Sequence, residues 1–149
     1  MNNTFETMIN IEEFIHHFEQ GTLQKESWTH EAHFIIALWY LLQNPLPTVL
    51  ENLPEAIKKN NIALGIPNNE ERGYHKTITY FYIFSINNYI KQQNIESLSI
   101  EHFQQLLTAD IINKNYPLQF YSSRLLFSID ARKNWIKPDL RSLNAPGMD

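Results

Sequence analysis

The chain has 149 residues, which suits one domain of ordinary size and leaves little material for a second core. Hydrophobic residues make up 43% and charged residues 19%, a balance typical of globular proteins rather than disordered ones. The formal net charge of −4 argues against a nucleic-acid partner, because phosphate binding depends on clustered Lys and Arg.

The first predicted element is a helix over about 10–20. Met8, Ile11, Ile15 and Phe18 recur at helical spacing, and Gly21 is a natural helix stop. The residues before it have neither the basic region nor the long apolar run of a signal peptide, so we expect a cytoplasmic protein.

The second predicted helix follows a cap at Ser27 or Thr29 and contains His30, His33 and the apolar run 34–42. A buried strand is the competing interpretation of that run, but its length and the flanking caps favour a helix. Because a helix that is apolar on all sides must be covered, we expect it at the centre of the fold. The run is far shorter than the ~20 residues that a membrane span needs, so no membrane partner is expected.

A third helix is predicted over 48–64, with Pro54 either kinking it or starting a second piece at Asn52, and with Gly65 ending it. The fourth predicted helix has the clearest amphipathic pattern in the chain. Its apolar stripe is formed by Tyr74, Ile78, Phe81, Tyr82, Ile86, Tyr89 and Ile90.

The last third of the chain predicts shorter elements. Ser99 caps a helix that runs through Leu107, one or two short helices lie within 117–135, and an extended tail starts at residue 137. The predicted fold is therefore all-α: a single domain over 1–149, built as an irregular bundle of four main helices plus short C-terminal ones.

Three histidines form the candidate site. His30 and His33 are three positions apart and share one helix face, which continues into the apolar interior. His75 is placed in the first turn of the fourth helix, on the side that also carries Thr79, Tyr82 and Ile86. We expect both helix starts to present these imidazoles to one polar hollow.

Three imidazole nitrogens with an open fourth position suit a catalytic divalent metal ion, with Zn or Fe the expected identities. The chain has no cysteine, so His, Asp and Glu are the strong ligands that remain. Glu71, one turn before His75, is the first candidate for a further ligand, ahead of Glu19 and Tyr74. The alternatives are a metal-free pocket that binds or acts on a small molecule, and a purely structural role for the histidines. The oligomeric state is left open.

Several short motifs resemble those of a family of small, uncharacterised helical proteins. The first is a W-T-H-x-x-H segment at 28–33, and the second a G-Y-H-x-T-x-T segment at 73–79. The third is a Y-S-x-x-R-L segment at 121–126, followed by Ala131-Arg132 and by Pro138-Asp139-Leu140. Together these motifs cover nearly the whole chain.

The resemblance implies a common scaffold in which the three histidines act together with Tyr121, Arg124, Arg132 and Asp139. It implies no activity. The chain departs from the family pattern at Lys76, where relatives often have Glu, which puts any role of that acid in doubt here. Arg124 and Arg132 could also share one side of a continuous helix, where they would hold an anionic ligand or fix Asp139.

Overall fold

The structure, a computed structural model, describes residues 4–97 and 99–143, with the backbone alone for residues 4–9. These residues form helices and turns and no strand, which confirms the predicted all-α class. The helices are α1 Thr4–Gln20, α2 His30–Gln43, α3 Leu46–Ala63, α4 Lys76–Gln92, α5 Ile100–Leu107, α6 Ser123–Leu126 and α7 Ile129–Lys133. Single 3₁₀ turns lie at Lys25–Ser27, Asp110–Ile112 and Tyr116–Gln119.

The helix starts depend on local capping residues. Thr29 caps α2 by accepting a hydrogen bond from the Ala32 N–H, and Ser99 caps α5 in the same way. α1 begins at Thr4 rather than near residue 10, because no glycine or proline interrupts the chain between these points. α3 also begins earlier than predicted, at Leu46, and runs through Pro54 as one helix.

α4 begins later than its apolar stripe predicts, at Lys76 rather than before Tyr74. Gly73 has a φ of +81°, in the left-handed region, and this conformation ends any helical path through the preceding turn. His75 consequently occupies the N-cap position of α4 and not its first turn, which corrects the sequence prediction.

The main core lies between α1, α2, α3, α4 and α5, with α2 in contact with α3, α4 and α5 as its apolar composition predicts. Each fully buried Leu, Ile or Phe contributes roughly 1.5–3 kcal/mol relative to exposure. A smaller aromatic cluster joins α4 to the C-terminal segment; its buried members are Phe81, Phe84, Phe120, Tyr121 and Leu126.

The C-terminal segment is fixed to the start of α4 by polar contacts as well as by this cluster. The Thr77 hydroxyl donates to the Asn134 carbonyl over 2.6 Å and accepts from the Ile136 N–H over 3.1 Å. α7 packs on α4 as a result. No helix of the described residues has the length and hydropathy needed to cross a membrane.

Candidate functional site

A cavity of about 330 Å³ lies between α2, α3 and α4, with the α6–α7 segment along one side. All three histidines that the sequence singled out, His30, His33 and His75, line it. Its apolar wall is supplied by Phe34, Ala37, Leu53, Ile57, Ile78, Ile83 and Ile86, and Phe127 also lines it. The starts of α2 and α4 therefore border one cavity, whose wall is largely apolar where the sequence predicted a polar hollow.

His30 is the first residue of α2, and its ring is oriented by the backbone of a distant turn. Nε2 lies 2.6 Å from the carbonyl oxygen of Ile112. A carbonyl can only accept, so Nε2 carries the proton and Nδ1 is the unprotonated nitrogen of the neutral ring. The ring also packs edge-on against Phe34 and Tyr82, with centroid distances of 5.0 and 6.0 Å. These contacts fix both its orientation and its tautomer.

His33 has the opposite tautomer. Its Nδ1 lies 2.7 Å from the carbonyl oxygen of Thr29, so Nδ1 donates and Nε2 is unprotonated in the neutral ring. The ring lies against the Trp28 ring, with centroids 3.9 Å apart. The His33 side chain is exposed to solvent on one part of its surface. Many protein atoms surround the rest of the ring, and the desolvation that they cause is the main reason why the pKa of His33 is lowered. The neutral form is therefore favoured at neutral pH.

Both nitrogens of His75 are used within the protein. Nδ1 accepts the Ile78 N–H over 3.1 Å, and Nε2 donates to the Leu126 carbonyl over 2.8 Å. The side chain is 7% exposed, and burial is the largest cause that lowers its pKa. With one nitrogen protonated and the other accepting, His75 has no lone pair to offer a ligand.

The three-nitrogen metal site expected from the sequence does not fit this arrangement. His75 lacks a coordinating lone pair, and the described residues contain no group of three or more His, Asp or Glu side chains placed to hold a metal ion. Among the three histidines that line the cavity, His30 Nδ1 and His33 Nε2 are the nitrogens that keep an unused lone pair in the neutral rings.

Arg132, on α7, also lines the cavity and contacts the turn before α4. Its Nη1 donates to the carbonyls of Gly73 and Tyr74 at 3.2 and 3.3 Å. Among the described residues that line the cavity, Arg132 is the only Arg, and there is no Lys, Asp or Glu. Its positive charge is a further cause that lowers the pKa of His75.

Two of the additional site residues predicted from the sequence lie elsewhere. Glu71 does not line the cavity: it is exposed in a turn whose N–H groups bind the Asn69 side chain, because no helix extends back from His75. Tyr121 is fully buried in the aromatic cluster, where its hydroxyl donates to the Ile136 carbonyl over 2.6 Å. Neither side chain is placed to contact a ligand in the cavity.

Arg124 does not lie near Arg132 on a shared helix, because the chain turns between α6 and α7. Arg124 is exposed and does not line the cavity. Asp139 binds Ser122 instead of an arginine, accepting its N–H at 2.7 Å and its hydroxyl at 2.6 Å. These bonds lower the pKa of the Asp139 carboxyl. Asp139 thus joins the tail to Ser122 and not to an arginine.

Two weaker metal-ligand candidates remain. Glu19 does not line the cavity and accepts a hydrogen bond of 2.7 Å from the Tyr40 hydroxyl, whereas Tyr74 does line the cavity. Asn61 is the polar wall residue that the sequence interpretation missed; its Oδ1 accepts the Trp28 indole N–H over 2.8 Å. Asn61 follows Leu53 and Ile57 at four-residue steps on the buried face of α3. A polar amide at a position of the sequence where the helical spacing predicts an apolar residue was the signal that could have identified it.

In comparisons with known proteins, no family model, no curated protein and no solved structure matches this chain. The family resemblance of its motifs therefore stays an expectation, and any function has to be argued from the geometry of the cavity.

Proposed function

We propose that this chain binds a small, largely apolar molecule in the cavity between α2, α3 and α4, without a metal ion. The observation that carries the proposal is the pair of imidazoles, His30 and His33, each bonded through one nitrogen to a backbone carbonyl beside an apolar wall. A few oriented polar groups in a mostly hydrophobic hollow are the usual composition of a ligand site.

The wall is built from three helices, which supports a preformed site. Phe34 and Ala37 come from α2, Leu53 and Ile57 from α3, and Ile83 and Ile86 from α4. All six residues are also members of the main core, so their positions are fixed by packing. A ligand entering such a site has little protein ordering to offset.

A divalent metal ion is the second candidate, because His30 Nδ1 and His33 Nε2 both keep a lone pair. Imidazole nitrogens bind Zn or Fe, but two protein ligands would leave the remaining positions to water or to a bound molecule. Elemental analysis of protein purified without an affinity tag separates the two candidates. A stoichiometric metal that is lost in His33→Ala supports the second. Cytoplasmic location and the absence of a nucleic-acid partner stay predictions from the sequence.

The binding proposal is tested with toluene as a probe, by recording ¹H–¹⁵N spectra of the whole chain during titration. We expect saturable shifts at cavity residues and their loss in Ala37→Leu, which fills the hollow. The matched control is Ala56→Leu, on a part of α3 that does not line the cavity. Shifts that are absent, scattered over the surface or unchanged in Ala37→Leu would overturn the proposal.

A further inference from the structure

We infer that the cavity selects a neutral or anionic aromatic molecule that carries a hydroxyl or N–H donor, a phenol being the simplest example. This rests on the proposed function, since it assigns the class of ligand to the same site. Three observations support it: the tautomers of two histidines, the aromatic surroundings of His30, and the sign of the charge on the wall.

The tautomers make this part of the wall an acceptor. Ile112 and Thr29 supply carbonyl oxygens at 2.6 and 2.7 Å to one nitrogen of His30 and of His33, so the protons stay on those nitrogens. In the neutral rings the opposite nitrogens, His30 Nδ1 and His33 Nε2, can accept but cannot donate. A ligand with a donor can pair with one of these nitrogens, and such a hydrogen bond contributes roughly 0.5–1.5 kcal/mol that a ligand without a donor lacks.

The surroundings of His30 favour a flat ring. Phe34 and Tyr82 contact each other edge-on at 4.8 Å, and both pack edge-on against the His30 ring. Aromatic pairs prefer edge-to-face and offset arrangements, so a ring entering this hollow finds suitable neighbours. Thr79 also lines the cavity. Its hydroxyl makes no hydrogen bond within the described part of the chain, so it is free to pair with a polar substituent.

The charge on the wall disfavours a cation. Arg132 is the one fully charged side chain among the described residues of the lining, and two backbone carbonyls hold its guanidinium in place. In a site of low dielectric a fixed positive charge repels an ammonium group and favours a neutral or negative ligand. The two histidine acceptors and Arg132 together favour a hydroxyaromatic molecule, with or without a carboxylate.

The test compares three probes of similar size by calorimetry and ¹H–¹⁵N spectra on the whole chain: phenol, anisole and benzylammonium. We expect phenol to bind at least about tenfold more tightly than anisole, since one good hydrogen bond is worth roughly 1.4 kcal/mol here. Benzylammonium should bind more weakly than both.

His33→Phe keeps a ring against Trp28 while removing the acceptor, and it should reduce the preference for phenol over anisole to about twofold or less. His30→Phe serves as the second acceptor variant in case the first one unfolds. The control is His102→Phe, which changes a histidine outside the cavity and should keep the full preference.

The outcomes separate this inference from the proposed function. If toluene binds in the cavity but phenol gains nothing over anisole, or if benzylammonium binds best, the ligand class is wrong and the binding site stands. If neither toluene nor any of the three probes binds, the proposed function fails and the ligand class fails with it.

Discussion

His75 and Leu126 are 51 positions apart in the chain, yet the His75 ring donates to the Leu126 carbonyl over 2.8 Å. The same ring accepts the Ile78 N–H and so caps α4. One imidazole therefore joins the C-terminal segment to the start of the helix that forms one wall of the cavity. This role explains a buried histidine in the site without assigning it a ligand.

Replacing His75 by alanine should lower the free energy of unfolding by about 2–4 kcal/mol. The change removes a helix cap, worth about 1 kcal/mol, and leaves the buried Leu126 carbonyl without its donor. His75→Asn can restore the cap but is too short to reach Leu126, so we expect a smaller loss. Urea unfolding measures both, and the exposed His16→Ala should stay within ~0.5 kcal/mol. Equal losses in His75→Ala and His16→Ala would contradict this role.

The free energy of unfolding should also fall as the pH drops from about 7.5 towards 5. Burial lowers the pKa of His75 in the folded chain below the ordinary value of 6.5. The unfolded chain therefore takes up a proton first, and stability that is complete above pH 6.5 is lost below it until the folded ring also protonates. For one group the slope reaches at most ~1.4 kcal/mol per pH unit.

The lowered pKa of His33 acts in the same direction, and Asp139 titrates below this window because its pKa lies below 3.8. Urea unfolding at a series of pH values measures the slope, and in His75→Asn the slope between pH 5 and 6.5 should be smaller. A wild-type chain whose stability does not change over that range would show that its histidines titrate alike in both states.

The sequence predicts the parts of this fold that depend on near neighbours. Ser99 was identified as the cap of α5, and Thr29 was one of the two residues considered for α2, because a cap binds an N–H only three positions later. The start of α4 was wrong because the apolar stripe continues back to Tyr74, while the left-handed Gly73 beside it interrupts the helix. The spacing of apolar residues indicates which side chains face the interior, and a side chain such as Tyr74 can do so from outside a helix.

In the candidate site, too, the sequence predicts what depends on near neighbours and misses what depends on distant ones. Helical spacing was enough to put His30 and His33 on one face, and all three predicted histidines line the cavity. Their chemistry depends on Ile112 and Leu126, which are carbonyl partners from distant turns that no local pattern reveals. Tertiary hydrogen bonds thus decide which nitrogens keep a lone pair.

Two glycines offer a matched test of the turn before α4. Gly73 and Gly65 both have a positive φ, +81° and +77°, but only at Gly73 would a Cβ meet neighbouring atoms, the Pro67 carbonyl oxygen and, at 2.7 Å, Asn68 Oδ1. Gly65→Ala should cost about 1–2 kcal/mol for the left-handed backbone alone. Gly73→Ala should cost at least ~2 kcal/mol more, since the turn that positions His75 must shift. Similar losses of unfolding free energy in the two variants would contradict the close packing at Gly73.

Thr77 and Thr79, two positions apart on α4, should respond very differently to replacement by valine. The Thr77 hydroxyl is fully buried and binds both the Asn134 carbonyl and the Ile136 N–H, so Thr77→Val leaves two backbone groups unpaired. We expect a loss of about 2–4 kcal/mol in unfolding free energy. The Thr79 hydroxyl makes no hydrogen bond within the described residues, so Thr79→Val should change stability by less than ~1 kcal/mol. Urea unfolding compares them directly. A Thr79→Val loss as large as that of Thr77→Val would mean that the Thr79 hydroxyl has a structural partner, and it would remove Thr79 from the groups available to a ligand.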